Sequence, residues 1–477
     1  MKKQETIAVS MLWKTFERYS VLGSQLLVQI VIARVISPDE YGLISMMTVF
    51  ISIATIFIQN GFNMALVQKK DSTDIDCSTA FFINLAIGMV LYLILFATAP
   101  LIAGYYHEPQ ITQCLRVLGL ILLIGSITSI QTAIATRNMQ FRTLFIGNLS
   151  GSVVSGAVGI AAAIMGFGVW ALVIQQLTNK LVVTMVMLVL LKWKPQLIVD
   201  KASAKTMFVF GWKLLAAGMI NQIYNEMNNL VIGRKYTSND LAFYNKGKQF
   251  PNYVTTGIDG SIQSVMFSAF SKKQSDIKAI HDMLRKSISV NTYIIFPLMV
   301  GLALVAEPFT AVVLTEKWLP IVPYMQICCL TFALHPIETA HLQALAAIGR
   351  SDIRLKLEFV KKPIGILLLI LSISHGPFAI ALSAMITSVI SFIVDIAASR
   401  ICIKLSFKEQ IKDLLPCVLL TAVMGVVVYF VKYLPFSNLV MLCVQVSMGC
   451  IVYIGASAII KPVGYRYMLQ FVKQKSV

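Results

Sequence analysis

Lys14, Arg18, Lys213 and Lys248 lie inside long hydrophobic stretches of the chain. A charge near the centre of a bilayer costs roughly 2.5–3.5 kcal/mol on an insertion scale, so it is kept where it faces water or a partner. Ammonium and guanidinium groups hold the oxygens of an anion, and phosphate suits them best. Amides accompany them: Gln25, Asn63, Asn221, Asn225 and Asn252 offer both donors and acceptors. Glu226, Asp259 and Glu338, with Asp395, are candidates to take up a proton or Na⁺. His335 stands one helical turn from Glu338 and is placed to titrate with it. Each residue also has a plainer use. An isolated amide bonds between helices, an acid pairs with a base, and Lys14 can snorkel to the interface.

No cofactor fingerprint, metal-binding set or catalytic motif is present, so no enzyme is expected. The eight cysteines lack CxxC spacing and sit mostly in apolar stretches, where they read as small buried hydrophobes.

These residues need elements to position them, and the composition says which. Of 477 residues, 57% are hydrophobic and 13% charged, against about 25% charged in a soluble domain. The apolar residues come in blocks such as 43–65, 81–103 and 117–134, each close to the roughly 20 residues that span a bilayer core as a helix. A β-barrel would alternate over about ten residues. The chain is therefore read as an all-α integral membrane protein of about fourteen transmembrane helices. The spans are 10–36, 41–66, 78–104, 111–136, 143–166, 168–191, 207–233, 239–267, 288–315, 319–348, 353–374, 377–400, 409–433 and 437–460. With the N-terminus in the cytoplasm, most loop lysines and arginines fall on the cytoplasmic side, while Arg34, Arg234, Lys235, Lys317 and Lys432 fall opposite. Both termini are then cytoplasmic. The net charge of +18 reflects this topology and not nucleic-acid binding. No loop is long enough for a folded catalytic domain, which argues against a membrane-embedded glycan polymerase or ligase.

Residues 32–42 and 232–242 resemble each other: Ile and Arg recur at the same places, Ser37 matches Thr237, and an acidic or amide pair follows in both. The copies follow the first and seventh spans. An offset of six helices preserves orientation and predicts two six-helix lobes related by a parallel pseudo-repeat, plus two C-terminal helices. The expected division is an N-terminal lobe at 1–191, a cytoplasmic linker at 192–206, a C-terminal lobe at 207–400, and two extra helices with a cytoplasmic tail at 401–477.

Polar residues line one face of the matching helices in each lobe. Ser10, Lys14, Arg18, Gln25 and Gln29 share an arc of about 100°. Ser45, Thr48, Ser52, Thr55, Gln59 and Asn63 share about 80°. Asn245, Lys248, Asn252, Thr255, Asp259 and Gln263 form a third stripe, and residues 221–229 a broader fourth. The expectation is one hydrated cavity between the lobes, with an excess of basic groups that favours an anionic substrate. An organic-cation antiporter would want the opposite balance.

Residues 33–42, then Gly61-Phe62-Asn63-Met64-Ala65-Leu66-Val67-Gln68, resemble the first two helices of bacterial polysaccharide flippases. So do Asn228-Asn229-Leu230-Val231-Ile232-Gly233-Arg234, Leu241-Ala242-Phe243-Tyr244-Asn245 and Phe250-Pro251. The chain is similar, through most of its length, to the Wzx-type, colanic-acid-exporter-like branch of the MOP superfamily. That resemblance implies alternating access by two lobes in the bacterial inner membrane. The implied substrate is an undecaprenyl-diphosphate-linked glycan, moved outward for lipopolysaccharide, capsule or exopolysaccharide biosynthesis. Related lipid II flippases use basic residues of the first helix, for which Lys14 and Arg18 are the counterparts here. Lys14, Arg18, Lys213 and Lys248 would hold the diphosphate and the amides the glycan. Membrane lipids would surround the polyprenyl tail, a proton or Na⁺ would couple the cycle, and polysaccharide assembly proteins are candidate partners. The rivals are an ion-coupled multidrug or organic-cation antiporter of the same superfamily and a lipid II flippase.

Overall fold

Helix boundaries fall where the sequence places caps and turns. Thr73 closes a capping box with Asp76, and Ser406 does the same with Glu409. Gly166 and Gly168 carry φ of +82° and +56°, so the Gly166-Phe167-Gly168 turn uses backbone that only glycine adopts cheaply. The computed structural model describes residues 7–60, 63, 66, 73–271 and 276–468. Within them the chain runs α1 (Ile7–Val35), α2 (Pro38–Asn60), α3 (Asp74–Tyr106), α4 (Gln110–Leu118), α5 (Leu120–Arg137), α6 (Phe141–Ile164), α7 (Val169–Leu191) and α8 (Lys201–Lys235). It continues through α9 (Ser238–Ser271), α10 (Ile277–Leu304), α11 (Ala306–Val313), α12 (Val322–Ala347), α13 (Ser351–Ser372), α14 (Pro377–Ile403), α15 (Phe407–Val431) and α16 (Asn438–Ile460). No strand occurs among the described residues.

The all-α reading holds, although the expected spans 111–136 and 288–315 are each divided between two helices, α4 with α5 and α10 with α11, 319–348 starts on a 3-10 turn, and 61–62 and 64–65 of the span 41–66 lie outside the described residues. Among the described residues, ten helical stretches are long and apolar enough to cross a membrane. The long helices outside that set are α1, α8, α9 and α13, of which α8 and α13 carry six charged residues each. Large apolar side chains point outward, as they must against lipid: Leu101 is 73% exposed and Ile401 80%. Two cysteines depart from expectation for this reason. Cys443 and Cys450 are exposed on α16, and the buried ones are Cys77, Cys114, Cys328, Cys329 and Cys417.

The chain divides into two compact units, Met1–Ala242 and Phe243–Val477. In the first, α8 packs along α2. Phe81, Ile130 and Met207 form a core shared by α3, α5 and α8. Small residues bring α6 close to its neighbours: Ser24 and Ser152 meet at 2.8 Å, and a methyl on Gly159 would stand 2.8 Å from the Gln175 side chain. In the second unit, Leu284, Ile288, Ile337 and Ile403 form one core, and Tyr293, Leu420, Met424 and Tyr453 another. The Arg285 guanidinium grips Asp413 with two bonds of 2.7 and 2.8 Å, locking α10 to α15.

The repeated motif is capped alike in both copies. Ser37 N–H donates to Glu40 Oε2 at 2.9 Å, and Thr237 N–H donates to Asp240 Oδ2 at 3.1 Å. The hydroxyls of Ser37 and Thr237 accept in return from the N–H of Glu40 and Asp240.

Candidate functional site

The polar stripe of α2 divides into two uses. Near its start the hydroxyls turn back onto their own helix, Ser45 Oγ donating to Tyr41 O at 2.8 Å. Toward its end Thr55, Gln59 and Asn60, joined by Asn63, open onto a cavity of about 410 Å³ within the first unit. Its far walls come from α5, through Thr128, Ser129, Thr132 and Thr136, and from α7, through Lys180. Asn84 of α3, fully buried, donates to Asn63 Oδ1 at 3.1 Å and to Ser129 Oγ at 3.2 Å, holding both against the wall. Thr128 is tied in turn to Thr184 of α7. Among the described residues lining the cavity, Lys180 is the charged one. The arrangement can hold a hydroxyl-rich ligand carrying negative charge.

Lys180 is not among the residues expected from the sequence; its signal there is a single lysine midway along a span, beside Gln175, Gln176, Thr178 and Asn179. Asn63 was anticipated and does line the cavity.

The other expected residues are spread more widely. Lys14 and Asp259 have side chains outside the described residues. Arg18 is half-buried on α1, Lys213 is exposed on α8, and Lys248 is half-buried on α9. Gln25, Asn221, Asn225 and Asn252 are exposed, and Asn252 Oδ1 accepts from Thr256 Oγ1 at 3.0 Å.

Glu226 is held on all sides. Ser52 Oγ and Gln222 Nε2 donate to its Oε1 at 3.0 Å each, and Asn229 Nδ2 donates to Oε2 at 2.7 Å. Three neutral donors satisfy a carboxylate without a cation. These bonds tie α2 to α8 through Glu226 and involve neutral donors, not the ion pair that is its plainer reading.

The second unit buries its own polar cluster. Lys361 of α13 pairs with Asp395 of α14, with 9% and 0% of the side chains exposed. Glu338 of α12 accepts from Ser388 Oγ at 3.3 Å. His341, fully buried, spans Ser399 Oγ at 2.7 Å and Gln410 Oε1 at 3.1 Å. His335 lies exposed against Phe332. No group of three or more metal-binding side chains occurs among the described residues.

Residues 31–323 match the family described as polysaccharide biosynthesis protein. The chain belongs to that family. The resemblance carried by the motifs at 33–42 and 228–245 is thereby borne out. Within its reach lies the teichuronic acid biosynthesis protein TuaB of Bacillus subtilis (strain 168), 25% identical over 84% of each chain. The lipopolysaccharide biosynthesis protein WzxC of Escherichia coli (strain K12) is 24% identical over 73% of this chain and 71% of its own. Among solved structures, the lipid II flippase MurJ in an inward closed conformation superposes with a TM-score of 0.76 at 16% identity, covering 97% of this chain and 100% of that one. That likeness speaks for the fold.

Proposed function

We infer that the protein is a flippase that moves undecaprenyl-diphosphate-linked oligosaccharide outward across the bacterial inner membrane for polysaccharide biosynthesis. The family match over 31–323 carries this reading. The cavity supports it, because its hydroxyls, amides and lysine suit a glycan with anionic character. An organic-cation antiporter would favour an acidic cavity lining over a basic one. The protein is a transporter and not an enzyme.

In this reading α1, α8, α9 and α13 also cross the membrane, giving fourteen spans, with both termini in the cytoplasm. Their charges are tolerated because they face water inside the protein. The helices form two six-helix lobes, related by the repeat at 32–42 and 232–242, and two additional C-terminal helices. Lys14, Arg18, Lys213 and Lys248 take the diphosphate. Gln25, Asn63, Asn221, Asn225 and Asn252 take sugar hydroxyls, and the polyprenyl tail stays in lipid. Glu226, Asp259 and Glu338 are the coupling candidates for a proton or Na⁺, with Asp395, buried against Lys361, a further one.

The test is a leaflet assay. The full chain is reconstituted in vesicles with undecaprenyl-diphosphate-linked oligosaccharide, and exposure of the glycan is followed against protein-free vesicles. Movement by wild type that Arg18→Ala with Lys248→Ala abolishes, at unchanged thermal stability, is the expected result. Unimpaired movement in the double variant sinks the diphosphate assignment. Absence of movement alongside export of organic cations sinks the flippase.

A further inference from the structure

Lys180 is a half-buried cation set in the wall of the cavity. It stands midway along α7, a helix apolar enough to cross a membrane, where lysine is expensive and is retained for use. The buried Lys361 shows how this protein neutralises a structural lysine, by setting Asp395 against it. Among the described residues lining the cavity of Lys180, none is acidic. An ammonium partly withdrawn from water among neutral lining groups is short of a counter-charge, so the natural complement is an anion that arrives with the ligand.

The cavity is shaped for that arrival. A methyl on Gly125 would stand 3.2 Å from Lys180 Cε and 3.8 Å from Nζ, so the missing side chain makes the room the ammonium occupies. Opposite lie the amides of Gln59, Asn60 and Asn63 and the hydroxyl of Thr132, groups that both donate and accept, as sugar hydroxyls require. At about 410 Å³ the space lies toward the small end of ligand sites, enough for a short piece of glycan. One lysine balances a single negative charge, which suits a carboxylate better than a diphosphate.

We propose that this cavity is a subsite for an acidic sugar of the transported glycan, with Lys180 holding its carboxylate. The assignment rests on the flippase reading for its biological sense, though the site itself is tested separately.

Two lipid-linked oligosaccharides are prepared that differ only by glucuronate or glucose at one ring. Each is followed in vesicles holding wild type, Lys180→Gln, Lys180→Met or Lys180→Arg. Wild type is expected to favour the acidic substrate. The ratio of acidic to neutral transport falls about tenfold in the Gln and Met variants, the scale of a lost charge-assisted hydrogen bond, and is retained in the Arg variant. An unchanged ratio in a folded Gln or Met variant overturns the proposal. Binding of free glucuronate, glucose and inorganic diphosphate to the purified full chain separates the two readings. If neither lipid moves but glucuronate binding depends on Lys180, the subsite stands and the flippase reading falls. If glucuronate binds no better than glucose, or if diphosphate takes the Lys180 site in its place, the carboxylate assignment falls.

Discussion

The Ser238 hydroxyl donates to Asp39 Oδ1, so the two copies of the repeated helix junction are bonded to each other. Ser238 is buried, 6% exposed, and the bond falls beside the capping boxes that start α2 and α9. Removing the hydroxyl leaves the carboxylate short of a donor. Ser238→Ala is expected to lower stability by about 1–2 kcal/mol. Thermal unfolding of the detergent-solubilised full chain measures this, and an unchanged midpoint would show the junctions to be held by packing alone.

The Lys361–Asp395 pair gives a sharper prediction, because both partners are buried. Either Lys361→Met or Asp395→Leu alone leaves an uncompensated charge and should cost about 3–5 kcal/mol. The combined variant should recover most of that loss. Three unfolding curves measured beside wild type decide the matter, and additive losses would contradict the pairing.

For Glu226 the expectation is structural. Glu226→Ala strips Ser52, Gln222 and Asn229 of their common acceptor, at a cost of about 2 kcal/mol. Glu226→Gln keeps the volume and one carbonyl oxygen and should lose less. Stability and transport should fall together across the two variants. Loss of ion dependence at full stability would instead make Glu226 a coupling group.

Lys432 and Glu307 make the opposite kind of pair. Their 2.8 Å contact is 56% exposed on both sides. The hydrogen bond to Glu307 raises the lysine above its ordinary 10.5. A base raised on folding stabilises below its unfolded value, so the contribution is complete below that pH and disappears as pH climbs through the folded value. Lys432→Ala should cost less than about 1 kcal/mol at neutral pH. The difference should vanish in about 1 M salt, where the Debye length is near 3 Å. Unfolding midpoints at two salt concentrations test both statements, and a salt-independent loss would point to packing of the lysine stem.

The helices were legible because hydrophobic blocks of bilayer length have few other meanings. The junction at 32–42 was legible because residues 232–242 resemble it; its capping box of Ser37 and Glu40 is shown by the structure. Side-chain partnerships were not. The α2 stripe reads as one polar face, yet the structure gives Ser45 and Thr55 to their own helix, Ser52 to Glu226, and Gln59 and Asn63 to a cavity wall. Helical periodicity fixes a direction and says nothing of what waits there. Glu226 looked like a coupling acid because a lone carboxylate in an apolar span is conspicuous; its three donors come from two helices, so only tertiary structure reveals them. Lys180 escaped because attention to stripes passes over a single charge.

Gly42 lies where Cα of α2 meets the backbone of Ser238, and any Cβ there would overlap the Ser238 carbonyl. In a saturation screen for polysaccharide production, position 42 would therefore score as sensitively as a substrate contact, although it has no side chain to offer a substrate. Separating the two kinds of failure requires counting protein in the membrane as well as product. Without that count, a survey of loss-of-function alleles would draw the transport pathway through a hinge of bare backbone.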